Sequence, residues 1–176
     1  MQPINHFGPR SRRFLAPMAV LAFVISSAFP AAPLAAQDED ARAAVSAVLD
    51  ALHEAASEAE YDRYFSLYAD EAVFLGTDAT ERWTLEEFMD YARAPFETGT
   101  GWTYHTLERH IAIATDGRTA WFDERLDNAG LGETRGSGVL VMEDGSWKIA
   151  QYNLTIPIPN EMALDVARTI RALREN

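Results

Sequence analysis

Asp123 is the carboxylate of this chain best placed to do chemistry. It lies in Trp121-Phe122-Asp123-Glu124, a run whose alternation sets Trp121 and Asp123 on one face of a strand. A three-residue turn at Thr115-Asp116-Gly117, with Gly117 left-handed, pairs Arg109 with Asp123. The same turn at Glu143-Asp144-Gly145 pairs Ser137 with Gln151 and Arg135 with Asn153, and a five-residue middle loop sets Asp123 against Arg135. One face then carries a polar row of Arg109, Asp123, Arg135 and Asn153 beside Trp121, Ser137 and Gln151. Ile113, Val139, Trp147 and Ile149 form its dry end. A two-residue turn at either Asp-Gly is the rival, and a slip of one residue would turn a strand's side chains to the other face.

On such a face Asp123 reads as a general acid or base with its pKa set by Trp121 and the flanking arginines. Two guanidiniums would hold it ionised, so a structural Arg109–Asp123–Arg135 bridge is the competing reading. In a binding reading, Arg109 or Arg135 grips a ligand carboxylate, helped by Ser137, Gln151 and Asn153. His105 falls on the same face and could shuttle protons. His110 falls on the opposite face and His53 on the first helix, so no metal site is expected. No nucleophile elbow, phosphate loop or dinucleotide fingerprint is present, and no cofactor is expected. The even-numbered face carries Tyr104, Phe122, Leu140, Tyr152 and Leu154. So apolar a face needs cover, and a homodimer through the outer side of the sheet is the expected solution.

The elements that must position these residues read as helices, then strands, then a helix. Val45, Val48, Leu49 and Leu52 make one apolar stripe of a helix ending near Ala59. Tyr61, Tyr64, Phe65 and Tyr68 make a second, aromatic helix ending near Asp70, and Val73-Phe74-Leu75 a short strand. Thr84-Leu85-Glu86-Glu87 is a capping box opening a helix that stops before Pro95. Four strands follow at 103–114, 119–127, 133–142 and 146–156, then a terminal helix capped by Asn160. The order αα-β-α-ββββ-α predicts an α+β fold with helices on one face of a curved antiparallel sheet.

Composition narrows the possibilities. The 176 residues carry a net charge of −12 and no cysteine, which removes disulfides, thiol catalysis and thiolate metal sites. Arginine and lysine are too few to bind nucleic acid. Residues 1–36 run from Arg10, Arg12 and Arg13 through an apolar stretch to small residues ending at Ala36, the order of a secretory signal peptide. The apolar stretch is short for a membrane span, which needs about 20 residues. The expected mature domain is 37–176, exported to the periplasm or medium and free of the membrane after cleavage.

Four segments resemble the SnoaL-like branch of the nuclear transport factor 2-like superfamily. They are residues 74–84 (Phe-Leu-Gly-Thr-Asp-Ala-Thr-Glu-Arg-Trp-Thr), 116–124, 135–140 and 145–154. The resemblance implies a cone-shaped α+β barrel in which a bent sheet wraps the N-terminal helices around a pocket. Trp83 and Phe88 would wall that pocket or belong to plain core. It also implies superfamily activities that range from isomerases, cyclases and dehydratases to ligand-binding and assembly modules. By element, Tyr64 is the counterpart of the tyrosine that steadies developing charge in ketosteroid isomerases. Three functions follow as expectations: an exported domain binding a small, partly apolar ligand; an isomerase, cyclase or lyase using Asp123 or His105 with Tyr64; and a dimeric interaction module with a vestigial pocket.

Overall fold

The computed structural model describes residues 34–175. The expected export signal lies outside these residues up to position 33, and the first helix, α1 (Leu34–Ser57), runs through the expected cut after Ala36. Helix α2 (Tyr61–Ser66), strands β1 (Tyr68–Leu75) and β2 (Arg82–Thr84) and helix α3 (Leu85–Glu97) follow. Then come β3 (His105–Ile113), β4 (Thr119–Asn128), β5 (Gly132–Glu143), β6 (Ser146–Thr155), a single 3-10 turn and α4 (Ala163–Arg174). The six strands form one sheet in the order β2-β1-β6-β5-β4-β3, antiparallel except for the β1–β6 pair. The fold is α+β, with α1, α2 and α3 packed on one face of a curved sheet. No described helix is long and apolar enough to cross a membrane.

Local chemistry accounts for most boundaries. The capping box forms: the Glu87 amide donates to Thr84 Oγ1, and the Thr84 amide donates to Glu87 Oε2. Helix α3 passes through Pro95 to Glu97 instead of stopping before it. Proline removes one amide, but buried Phe96 anchors the final turn and the Thr100 and Gly101 amides both return to the Pro95 carbonyl. The second helix ends earlier than its aromatic spacing suggests. Tyr68, Ala69 and Ala72 are buried in β1, where Tyr68 pairs with Ile149 of β6. Asn160 caps no α-helix, because the 3-10 turn intervenes.

The strand register differs from the expected one. At Asp144-Gly145 the turn has two residues, both at positive φ (48° and 81°), the mirror-image geometry that matches strand twist. It pairs Met142 with Trp147, not Val141. Four residues separate Ala114 from Thr119, so Ile113 pairs with Ala120. The middle loop has three residues, its amides at Gly130 and Leu131 held by Asn128 Oδ1, and Asp123 pairs with Ser137 instead of Arg135. Register shifts between Thr106 and Glu108, and opposite Val139–Leu140, complete the change. The face against the helices therefore holds Ala120, Phe122, Glu124 and Leu126 of β4 with Thr134, Gly136 and Leu140 of β5. Strand β6 contributes Trp147 and Ile149 before its shift and Tyr152 and Leu154 after it. The apolar even-numbered set is thus covered by the chain's own helices and needs no second subunit for that purpose.

Candidate functional site

The carboxylate buried beneath the helices is Glu124, with no exposed surface at all. Its Oε1 accepts from His53 Nε2 and from the Tyr152 hydroxyl, each at 2.9 Å, and its Oε2 accepts from Arg109 Nε at 2.8 Å. Arg109 reaches onward to Asp50 Oδ1 at 2.7 Å, to the carbonyl and hydroxyl oxygens of Ser46, and to Thr106 Oγ1. The network ties α1 to the sheet through β3, β4 and β6. Burial by itself would raise the Glu124 pKa. The His53 hydrogen bond, with the charges of His53 and Arg109, outweighs burial and holds it below the ordinary carboxylate range. The Tyr152 hydroxyl is pushed well up, first by burial and then by the Glu124 charge. Glu124 is an ionised acceptor met by three donors, which suits a structural anchor better than a proton acceptor.

One ring away lies a cavity of about 250 Å3 between the β1–β2 hairpin, α3 and the segment leading into β3. Its walls are Phe74, Trp83, Phe88, Tyr91, Trp102 and Tyr104, with Leu131 and Leu154 beside them, and it opens to solvent. Phe74 stacks on Phe88 with centroids 3.9 Å apart, and Trp83 meets Tyr91 at 4.6 Å. The Tyr104 ring separates the cavity from His53, 6.4 Å away centre to centre, and Tyr152 lies parallel to Phe74 at 6.0 Å. Larger clefts exist, one between α2, α3 and the β5–β6 turn and another between the start of α1 and the β3–β4 turn. Neither gathers comparable aromatic walls.

The residues singled out in the sequence are dispersed by the observed register. Trp83 and Phe88 line the cavity. Arg109 belongs to the Glu124 network. Asp123 is exposed on the sheet face away from the helices, in a row His110–Asp123–Ser137–Asn153, and Trp121 stands beside it next to Val139 and Gln151. Arg135 is exposed, paired across β4 with Arg125, and His105 is exposed at the start of β3. The anticipated Arg109–Asp123–Arg135 bridge is absent, because Asp123 and Arg109 point to opposite faces. Tyr64 is buried, its hydroxyl 3.0 Å from that of Tyr68, and burial pushes its pKa up. Among the described residues no three His, Cys, Asp or Glu side chains converge as a metal site.

Glu124, His53 and Tyr152 were missed by sequence reasoning, as were Phe74, Glu81, Tyr91, Trp102 and Tyr104 of the cavity. One signal was available: His53 follows Val45 and Leu49 at intervals of four, on the buried stripe of α1.

The model of the SnoaL-like domain matches residues 45–159. The chain belongs to the SnoaL-like domain family. Solved structures of similar fold include proteins described as nuclear transport factor 2-like. A nuclear transport factor 2-like protein of unknown function from Pseudomonas putida KT2440 is 12% identical, with a TM-score of 0.59 over 70% of this chain and 92% of its own. A protein provisionally described as a scytalone dehydratase from Novosphingobium aromaticivorans is 10% identical, with a TM-score of 0.60 over 71% and 89%. A provisionally described dehydratase from Streptomyces avermitilis is 12% identical, with a TM-score of 0.56 over 69% and 99%. At such identities the likeness is one of fold. No curated protein matches the chain.

Proposed function

We propose that this SnoaL-like domain is exported and binds a small, partly apolar molecule in the aromatic cavity. The observation that carries the reading is the cavity itself. Six aromatic side chains surround about 250 Å3, the size for a compact ligand, while the buried carboxylate nearby is already taken by three donors. Neither arginine expected to grip a ligand lines this space. The test is native mass spectrometry of protein purified from its own host. A retained small molecule, lost in Trp83→Ala, supports the reading. An empty protein that also fails to quench its tryptophans with aromatic probes overturns it.

A second reading, an enzyme of isomerase, cyclase or lyase type, draws on the His53–Glu124 pair, which lies next to Tyr104 of the cavity lining. It passes the proton-transfer role from the exposed Asp123 and His105 to His53. Turnover of a retained ligand, abolished in His53→Gln with binding intact, would establish it. Two expectations from the sequence stand as part of the proposal. Export predicts that the mature chain starts at Gln37, checked by intact mass. A homodimer through the outer sheet face is supported by Trp121, 52% exposed there. Light scattering of Trp121→Ser should report a monomer.

A further inference from the structure

We propose that the cavity ligand is an organic cation, an alkylated or protonated amine held by aromatic ring faces and by the Glu81 carboxylate. The inference rests on the cavity being a binding site and adds the charge of its occupant.

Glu81 is the one carboxylate lining the cavity, and no arginine, lysine or histidine lines it. Its place is fixed by the hairpin between β1 and β2. The Gly76 amide donates to the Glu81 carbonyl at 2.9 Å, the Glu81 amide to the Asp78 carbonyl at 3.0 Å, and the Asp78 amide to Glu81 Oε2 at 3.1 Å. Gly76 is required for this arrangement: a Cβ there would fall 2.2 Å from Oε2. The other carboxylate of the hairpin, Asp78, spends Oδ1 on the amide and hydroxyl of Thr80. Among the described residues no cation pairs with Glu81.

Each ligand class meets this site differently. An anion would face a carboxylate and an aromatic lining that holds no arginine, lysine or histidine. A neutral apolar ligand would strip water from Glu81 and leave its charge with the Asp78 amide alone. An organic cation satisfies both features, since ring faces attract ammonium groups and the carboxylate neutralises them. The chain's net charge of −12 also draws cations toward it and repels anions.

Three probes of one shape and different charge test the inference: choline, 3,3-dimethylbutan-1-ol and 3,3-dimethylbutyrate, titrated by calorimetry and tryptophan fluorescence. Choline should bind about tenfold or more tightly than the alcohol, and the carboxylate weakest. Glu81→Gln should abolish the preference for choline over the alcohol, and Gly76→Ala should weaken choline binding by displacing Glu81. Equal or tighter binding of the alcohol, or a preference that survives in Glu81→Gln, overturns the inference and leaves the cavity reading intact. Failure of all three probes to bind overturns it as well, and the retained-ligand measurement then decides separately whether the cavity binds anything.

Discussion

His53 Nε2 of α1 and Glu124 Oε1 of β4 lie 2.9 Å apart, 71 residues distant in sequence and sealed between helix and sheet. This contact, with Arg109 and Tyr152 on the same carboxylate, registers the first helix against three strands. Apolar packing would tolerate a sliding helix, whereas a buried charge with three directional donors does not.

Glu124→Gln should therefore destabilise the fold. It leaves Arg109, whose side chain is 8% exposed, with Asp50 as its only anionic partner. A loss of about 3 kcal/mol is expected, in the range for breaking a buried ion pair. Urea unfolding measures it, and Glu124→Gln with Arg109→Met should recover part of the loss. An unchanged midpoint in the single variant would remove the anchoring role.

Acid should act through the same group. The unfolded carboxyl takes its proton near pH 4.3, whereas in the folded chain His53 and Arg109 lower that value. Below the unfolded value the unfolded state binds more protons, so the Glu124 contribution is present above about pH 4.3 and is lost as pH falls through the folded pKa. Thermal unfolding from pH 6 to pH 3 should show a steeper decline in the native chain than in Glu124→Gln. His53, Asp50, Tyr152 and Arg109 are present in both proteins and serve as the common background.

Gly136 has no room for a side chain. A Cβ there would lie 2.3 Å from the Tyr152 hydroxyl and 2.9 Å from Glu124 Oε1. Gly136→Ala should push Tyr152 off Glu124 and cost about 1–3 kcal/mol, as overpacking does. Gly145→Ala meets no atom within 4 Å but forces alanine to φ near 81°, so its cost should appear as backbone strain without loss of the Tyr152 contact. Nuclear magnetic resonance of the Tyr152 ring separates the two causes.

Asp123→Asn should leave stability within about 0.5 kcal/mol and ligand binding unchanged, because the side chain is exposed on the face away from the cavity. A large effect on binding would return Asp123 to the site and contradict its pairing with His110 and Ser137 on the outer face. Denaturation and probe titration on one sample give both values.

The local features of this chain were legible in its residues. The α1 stripe, the capping box at Thr84, four strands from their alternation, and the α+β order all follow from periodicity and turn chemistry acting over a few residues. The resemblance in segments such as 74–84 pointed to the SnoaL-like family. Trp83 and Phe88 stood as pocket wall or plain core in the sequence, and the fold puts both in the cavity lining. Which carboxylate is buried could not be decided locally. Asp123 and Glu124 are neighbours on opposite faces of one strand, so the choice rests on where β3, β5 and β6 lie beside it. Two turn lengths and two register shifts settle that, each moving a strand by one residue at little local cost. What the sequence determined alone was most of the elements and the alternation along each strand. The tertiary structure decided that Glu124 goes inward, because only there do His53, Arg109 and Tyr152 meet it, while Asp123 stays in water.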